Sequence, residues 1–286
     1  MEPVITAGLD GSSESLAAAR WAAGEAQLRN RPLRLMHAWI LLAPPGPEGT
    51  ATSDQNYWSR RIVDDAEQVV HEQFPGLPVV KDLVADDPGE ALVAAAEQSE
   101  MLVLGSRGLE ALTSYFLGDT GLHVMARAEH PVVLVRADDR TPAAGSGKVV
   151  LALHLHGPCD ELVEFAFDTA ARRGVAIGAV HGLHRHPHIH APWGRSAESE
   201  RDLTDEKLHE MREALRPWRE KYPSVPVEEK VLEQAAARAV VHAAEGSALL
   251  VIGRRRHHHR IGPHIGPVLQ AAVHHAPCPV AVVPHD

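Results

Sequence analysis

Two glycine groups in this chain have the types and spacing to hold an anion. Gly105-Ser106-Arg107-Gly108 is followed, after nine residues, by Gly118-Asp119-Thr120. Glycine lets a backbone come close to a ligand where a Cβ would intrude. The later group stands where a helix is expected to open, so free N–H groups and the helix dipole favour negative charge there. A polyphosphate fits between the two. The same glycines also suit two tight turns flanking a loop, and neither GxGxxG nor GxxxxGK[ST] is present. Asp10, in LDGS, is the second candidate: it either meets a ligand or forms an Asx turn and caps the next helix.

These residues need a scaffold, and alternating elements supply one. PVITAGL is a short apolar run suited to a strand covered on both faces, the alanine-rich Ser15 to Asn30 a helix, and PLRLMHAW a second strand. Trp58 to Phe74 has helical spacing, PVVKDLV reads as strand, and Pro88 suits the first turn of the next helix. MLVLG is a fourth strand, Asp119 to Ala128 a helix and PVVLVR the last strand. Such a succession implies a parallel sheet with helices on both faces. Ligands of such sheets bind beyond the carboxyl ends of the strands, near the topological switch point, and both LDGS and GSRG fall there.

The pattern is written twice. VITAGLDGSSESLAAARWA overlies VVLALHLHGPCDELVEFAFD at a shift of 144, while MLVLGSRG over LLVIGRRR and EHPVVLV over PCPVAVV need 148. The chain is therefore expected to hold a first domain over 1–140, a linker over 141–147 rich in Pro, Gly and charge, and a second domain over 148–286. With 286 residues and 44% hydrophobic composition, both can hold packed cores. The net charge of −10 argues against general nucleic-acid binding, which rests on neutralising phosphates. Two distant cysteines, Cys159 and Cys278, suggest neither a disulfide framework nor a cysteine metal site. With no signal-like start and no long apolar run, a soluble, cytoplasmic, membrane-free protein is expected.

The order VITAGLDGS, LMHAW, VLGSRG, nine residues, GD, then HPVVLVR resembles the universal stress protein family, in which G-x2-G-x9-G followed by Ser or Thr marks the ATP binders. The likeness runs over both halves and is specific in the first. It implies two tandem Rossmann-like (adenine nucleotide alpha hydrolase-like) α/β domains, each an open five-stranded parallel sheet flanked by helices. It also implies that they pair as a pseudo-dimer through their last strands, with further homodimer formation left open. For the site, it implies that Gly8, Leu9 and Asp10 hold the adenosine and that Ala38 lines the adenine side. Leu104, Gly105 and Gly108 would pass along ribose and phosphates, Arg107 would add positive charge, and Gly118, Asp119 and Thr120 would receive the terminal phosphates. The protein is then a stress-response binding or regulatory module for ATP, ADP or AMP, not an enzyme beyond incidental ATP hydrolysis.

Asp119 departs from the family's hydroxyl. At 4 Å a carboxylate opposes a phosphate charge by about 1 kcal/mol in water and about 4 kcal/mol at an effective dielectric constant of 20. Three outcomes stay open: a divalent ion such as Mg bridges Asp119 and phosphate, a less phosphorylated nucleotide binds, or none does. In the second copy His154 replaces Asp10, Arg256 replaces Gly108 and Pro267 replaces Asp119, so ATP binding in the family manner is not expected there. A scaffold working by protein contacts is the alternative for the whole chain. The run His184, His186, His188 and His190 has donors for zinc, nickel or copper, yet its prolines favour a plain loop and no metal site is assigned.

Overall fold

Strands of almost unbroken aliphatic residues set the architecture, because a strand buried on both faces has no place for polar side chains. The computed structural model describes residues 3–40, 50–106, 119–137, 147–157, 159–183, 197–256 and 265–286. The chain divides into two compact units, the first spanning Met1–Arg140 and the second formed by Thr141–Arg260 with Ile265–Asp286.

In the first unit the elements are β1 (Val4–Leu9), α1 (Ser13–Arg29), β2 (Leu33–Ala38), α2 (Thr50–Gln73), β3 (Val79–Val84), α3 (Pro88–Glu97), β4 (Ser99–Gly105), α4 (Asp119–Arg127) and β5 (Val132–Val135). Their strand order is β3-β2-β1-β4-β5, and the pairings of β1 with β2 and β4, β2 with β3, and β4 with β5 are all parallel. The order reverses between β1 and β4. Those two strands run side by side, with Gly8 opposite Leu104.

The second unit repeats the plan with β6 (Val149–Ala152), α5 (Asp160–Arg173), β7 (Ile177–Gly182), α6 (Ala197–Lys221), β8 (Val227–Leu232), α7 (Ala236–Ala243), β9 (Leu249–Arg255), α8 (Pro267–His275) and β10 (Val280–His285). Its order is β8-β7-β6-β9-β10, again parallel throughout.

Each core lies on both faces of its sheet. Ile5, Ala7, Leu33, Leu35, Met101 and Val103 are fully covered in the first unit, as are Val149, Leu151, Ile177, Leu249 and Val251 in the second. α1 packs on β1, β4 and β5 through Ala18, Ala19, Ala22, Ala23 and Ala26, none of which is exposed at all. Small side chains let this helix lie close to the sheet. β3 and β8 carry charged residues at their centres (VVKDLV and VEEKVL), a composition that discourages pairing with other chains. Lys81 on β3 also ties to Asp64 and Glu67 of α2 at 3.1 and 2.9 Å. The elements match the expected succession, with shifts of boundary, β4 for one starting at Ser99 and not at Met101. α1 starts two residues earlier than its alanine pattern suggested, and α2 extends back to Thr50. Among the described residues no helix is long and apolar enough to cross a membrane.

Candidate functional site

The carboxyl ends of β1, β2 and β4 come together where the strand order reverses. Leu9 ends β1 in the core, and its carbonyl accepts a 2.7 Å hydrogen bond from His37 Nδ1, which fixes the tautomer of that ring. Trp39 stacks on His37 with ring centroids 5.9 Å apart. Ala38 is half-buried beside them. The sequence did not mark His37 or Trp39, because a strand-end histidine carries no signal until the fold shows the carbonyl it bonds.

Asp10 is exposed just past β1, and its carboxylate accepts from the Ser12 N–H at 2.9 Å and from the Ser12 hydroxyl. Ser12 is in turn the N-cap of α1 and accepts from Ser15 N–H at 3.1 Å. The helix cap is thus Ser12, and Asp10 acts one step back by holding the cap residue. The intervening Gly11 has φ of +82°, where a side chain would be strained, and a Cβ there would lie 3.2 Å from Ile62 of α2.

Gly105 ends β4. A Cβ on it would lie 2.6 Å from both the carbonyl carbon of Glu14 and the nitrogen of Ser15. This glycine therefore serves close approach to the first turn of α1, a packing requirement independent of any ligand. Gly8 has a packing role too, since its Cβ would meet Leu104 Cδ2 at 2.6 Å and Leu92 Cδ2 at 3.0 Å. Leu104 itself is buried. Arg107, Gly108 and Gly118 lie outside the described residues. Asp119 is the first residue of α4, and Thr120 is exposed in its first turn. The structure therefore brings Leu9, Asp10, Ala38 and Gly105 to one end of one sheet.

α4 is braced against α3. His123 Nε2 stands 3.1 Å from Glu90 Oε1 and 3.0 Å from Arg127 Nη1, and Arg127 also bonds Glu90. α3 is capped by Asp87, whose carboxylate accepts from the N–H groups of Gly89 and Glu90 at 3.0 and 3.1 Å.

The second unit keeps the frame and changes the chemistry. His181 repeats His37, its Nδ1 donating to Leu153 O at 2.9 Å. Arg256, at the position of Gly108, is engaged by Glu161 at 2.8 Å. α8 begins with Pro267 after Gly266, which makes no side-chain cap bond, so its first residue offers no N–H. A Cβ on Gly253 would meet the His285 ring at 2.5 Å and Leu162 at 3.2 Å, where Gly105 meets helix backbone. The helices explain the exchange. The C-caps of α1 and α5, Asn30 and Gly174, stand 144 residues apart, but the helices start 147 apart, at Ser13 and Asp160. α5 lacks one turn, and the His285 imidazole stands against Gly253 instead. Cys159 precedes α5 without capping it, and burial pushes its thiol above the ordinary value. Cys278 is buried in the core. The segment His184 to His190 lies outside the described residues, and no group of three or more His, Cys, Asp or Glu among the described residues could hold a metal ion.

These features define a class: tandem doubly wound α/β domains, each with its strand order reversing between its first and fourth strands. The universal stress protein family model matches residues 3–136 and again 146–284. The chain belongs to the universal stress protein family. It is 32% identical over 291 residues to a universal stress protein of Mycolicibacterium smegmatis, with 98% of this chain and 96% of that protein covered. A universal stress protein of Mycobacterium tuberculosis is also 32% identical, with 97% and 96% covered. The crystal structure of a universal stress protein from Archaeoglobus fulgidus superimposes with a TM-score of 0.73 at 14% identity, covering 99% of this chain and 98% of that one.

Proposed function

We propose that the first unit binds an adenine nucleotide at the carboxyl ends of β1, β2 and β4, and that the protein works as a binding and regulatory module. The observation that carries this reading is the placement of Asp10, just past β1, beside the carboxyl end of β4 at the switch point, the position where open α/β sheets take ligands. Asp10 would accept from the ribose hydroxyls while His37, Trp39 and Ala38 border the base. The segment Arg107 to Gly118 and the start of α4 would meet the phosphates. Asp119 then sets how many phosphates are accepted, with Mg as the bridging ion in the ATP case. Pairing of the two units through their last strands belongs to the same proposal.

A scaffold function without nucleotide is the second reading. It is favoured by Arg256, which is already held by Glu161, and by Pro267 at the head of α8. Titration with ATP, ADP and AMP, with and without Mg, separates the two. Nucleotide binding that is lost in Asp10→Ala and shifts toward ATP in Asp119→Ser supports the first reading. Binding of none of the three by the folded wild type leaves the scaffold.

A further inference from the structure

The exchange of Asp10 for His154 rebuilds one turn with a titratable ring. In the first unit a carboxylate holds the N–H two residues on. In the second, His154 Nδ1 stands 3.3 Å from the His156 N–H and 3.2 Å from the His156 carbonyl. Arg255 joins them from the end of β9, its Nη2 lying 3.1 Å from His156 O and 3.4 Å from His154 Nδ1. One ring nitrogen therefore faces two donors and one acceptor. Unprotonated, Nδ1 accepts from His156 N–H and lies beside the guanidinium. In the imidazolium, protonated at both nitrogens, Nδ1–H can only donate to His156 O, the oxygen that Arg255 holds, and the charged ring repels the guanidinium.

We propose that His154, His156 and Arg255 form a site for a free inorganic oxyanion in the second unit, filled with uptake of a proton on His154. Protonation turns the ring toward His156 O and releases Arg255, leaving two adjacent cationic groups with donors to spare at the exposed end of the sheet. A dianion seated between them offsets their repulsion. The first unit has a carboxylate at this position, so this chemistry belongs to the second unit alone.

The charged surroundings agree. Burial, followed by Arg255, His156 and His181, holds the free His154 imidazole below the ordinary histidine value, against the raising effect of the His156 backbone bond. A proton on His154 is therefore disfavoured by its surroundings, and an anion seated beside it would offset that cost. His181 is committed to Leu153 O through Nδ1. From α6, Glu210 faces His156 and His181 but is itself held by Lys207 at 2.8 Å. From α5, Glu161 is taken by Arg256. Both of these carboxylates are thus paired with other cations.

Sulfate is the probe, because it stays dianionic over the whole range. Isothermal titration of the full chain at constant ionic strength, near pH 5 and near pH 7.5, is expected to show affinity at least about tenfold higher at the lower pH. Titrations in buffers of different ionisation enthalpy should show proton uptake, as linkage requires. His154→Asn keeps an acceptor for His156 N–H but cannot titrate, and should lose most of the pH dependence. Arg255→Gln should weaken sulfate at both pH values, while circular dichroism shows both variants folded. Equal wild-type affinity at the two pH values, His154→Asn keeping more than half of the gain, or Arg255→Gln binding as wild type would each overturn the proposal. Nucleotide titration of the first unit is unaffected by either result.

Discussion

Replacing Gly105 by alanine should destabilise the first unit by about 2–3 kcal/mol. The added Cβ would sit 2.6 Å from Glu14 C and Ser15 N, well inside ordinary contact, and both neighbours are backbone atoms of the first turn of α1. A side chain could rotate away, but a helix end held by the Ser12 cap and by packed alanines can only shift as a body. Overpacking of this kind costs about 1–3 kcal/mol, and the rigidity of the neighbour puts Gly105 at the upper end. For a unit of this size each kcal/mol lowers the unfolding midpoint by roughly 3–5 °C, so a fall of roughly 6–15 °C is expected by scanning calorimetry. Gly253→Ala is the internal comparison. Its Cβ would meet the His285 ring, which can turn aside, so its cost should be clearly smaller. Gly76→Ala, with nothing within 4 Å, should be neutral or slightly stabilising. A Gly105→Ala midpoint equal to the wild type's, or a Gly253→Ala loss as large as that of Gly105→Ala, would refute this account of why β4 ends in glycine.

Other expectations follow from named contacts. Arg29 and Glu25 are both buried and lie 3.0 Å apart, with Glu100 at 2.8 Å from Arg29. Arg29→Met breaks this buried ion pair and should cost about 3–5 kcal/mol in urea unfolding. Asn30 closes α1 at φ of 51°, and Gly174 closes α5 at 65°. Alanine at either should cost about 1–2 kcal/mol, whereas Asn30→Gly should be nearly neutral. Glu161 is held below the ordinary glutamate value by its own backbone N–H and then by Arg256. The unfolded chain binds that proton more readily, so this stability is present above about pH 4.3 and lost as pH falls through the lowered folded value. Arg256→Gln should therefore flatten the acid limb of the stability profile, while lowering stability at neutral pH by about 1 kcal/mol or less, since the pair is partly solvated.

Much of this protein was determined by its sequence alone. Continuous aliphatic strands can be satisfied only between two helical layers, so PVITAGL, MLVLG and their repeats at 144 and 148 dictated two parallel α/β units. The alanine run of α1 was likewise visible as a helix, and the glycines of GSRG as positions of close approach. What approaches them was not. Whether Gly105 faces a ligand, a helix or a side chain depends on atoms distant in sequence, and the answer differs between copies because α5 begins one turn late. The division of labour between Asp10 and Ser12 also needed three dimensions, since both are good capping residues and only the chain path selects one. In the second unit the sequence places His154 and His156 some hundred residues before Arg255. Only the parallel pairing of β6 with β9 placed His154 and Arg255 at one carbonyl, because strand register converts separations along the chain into hydrogen-bonding distances.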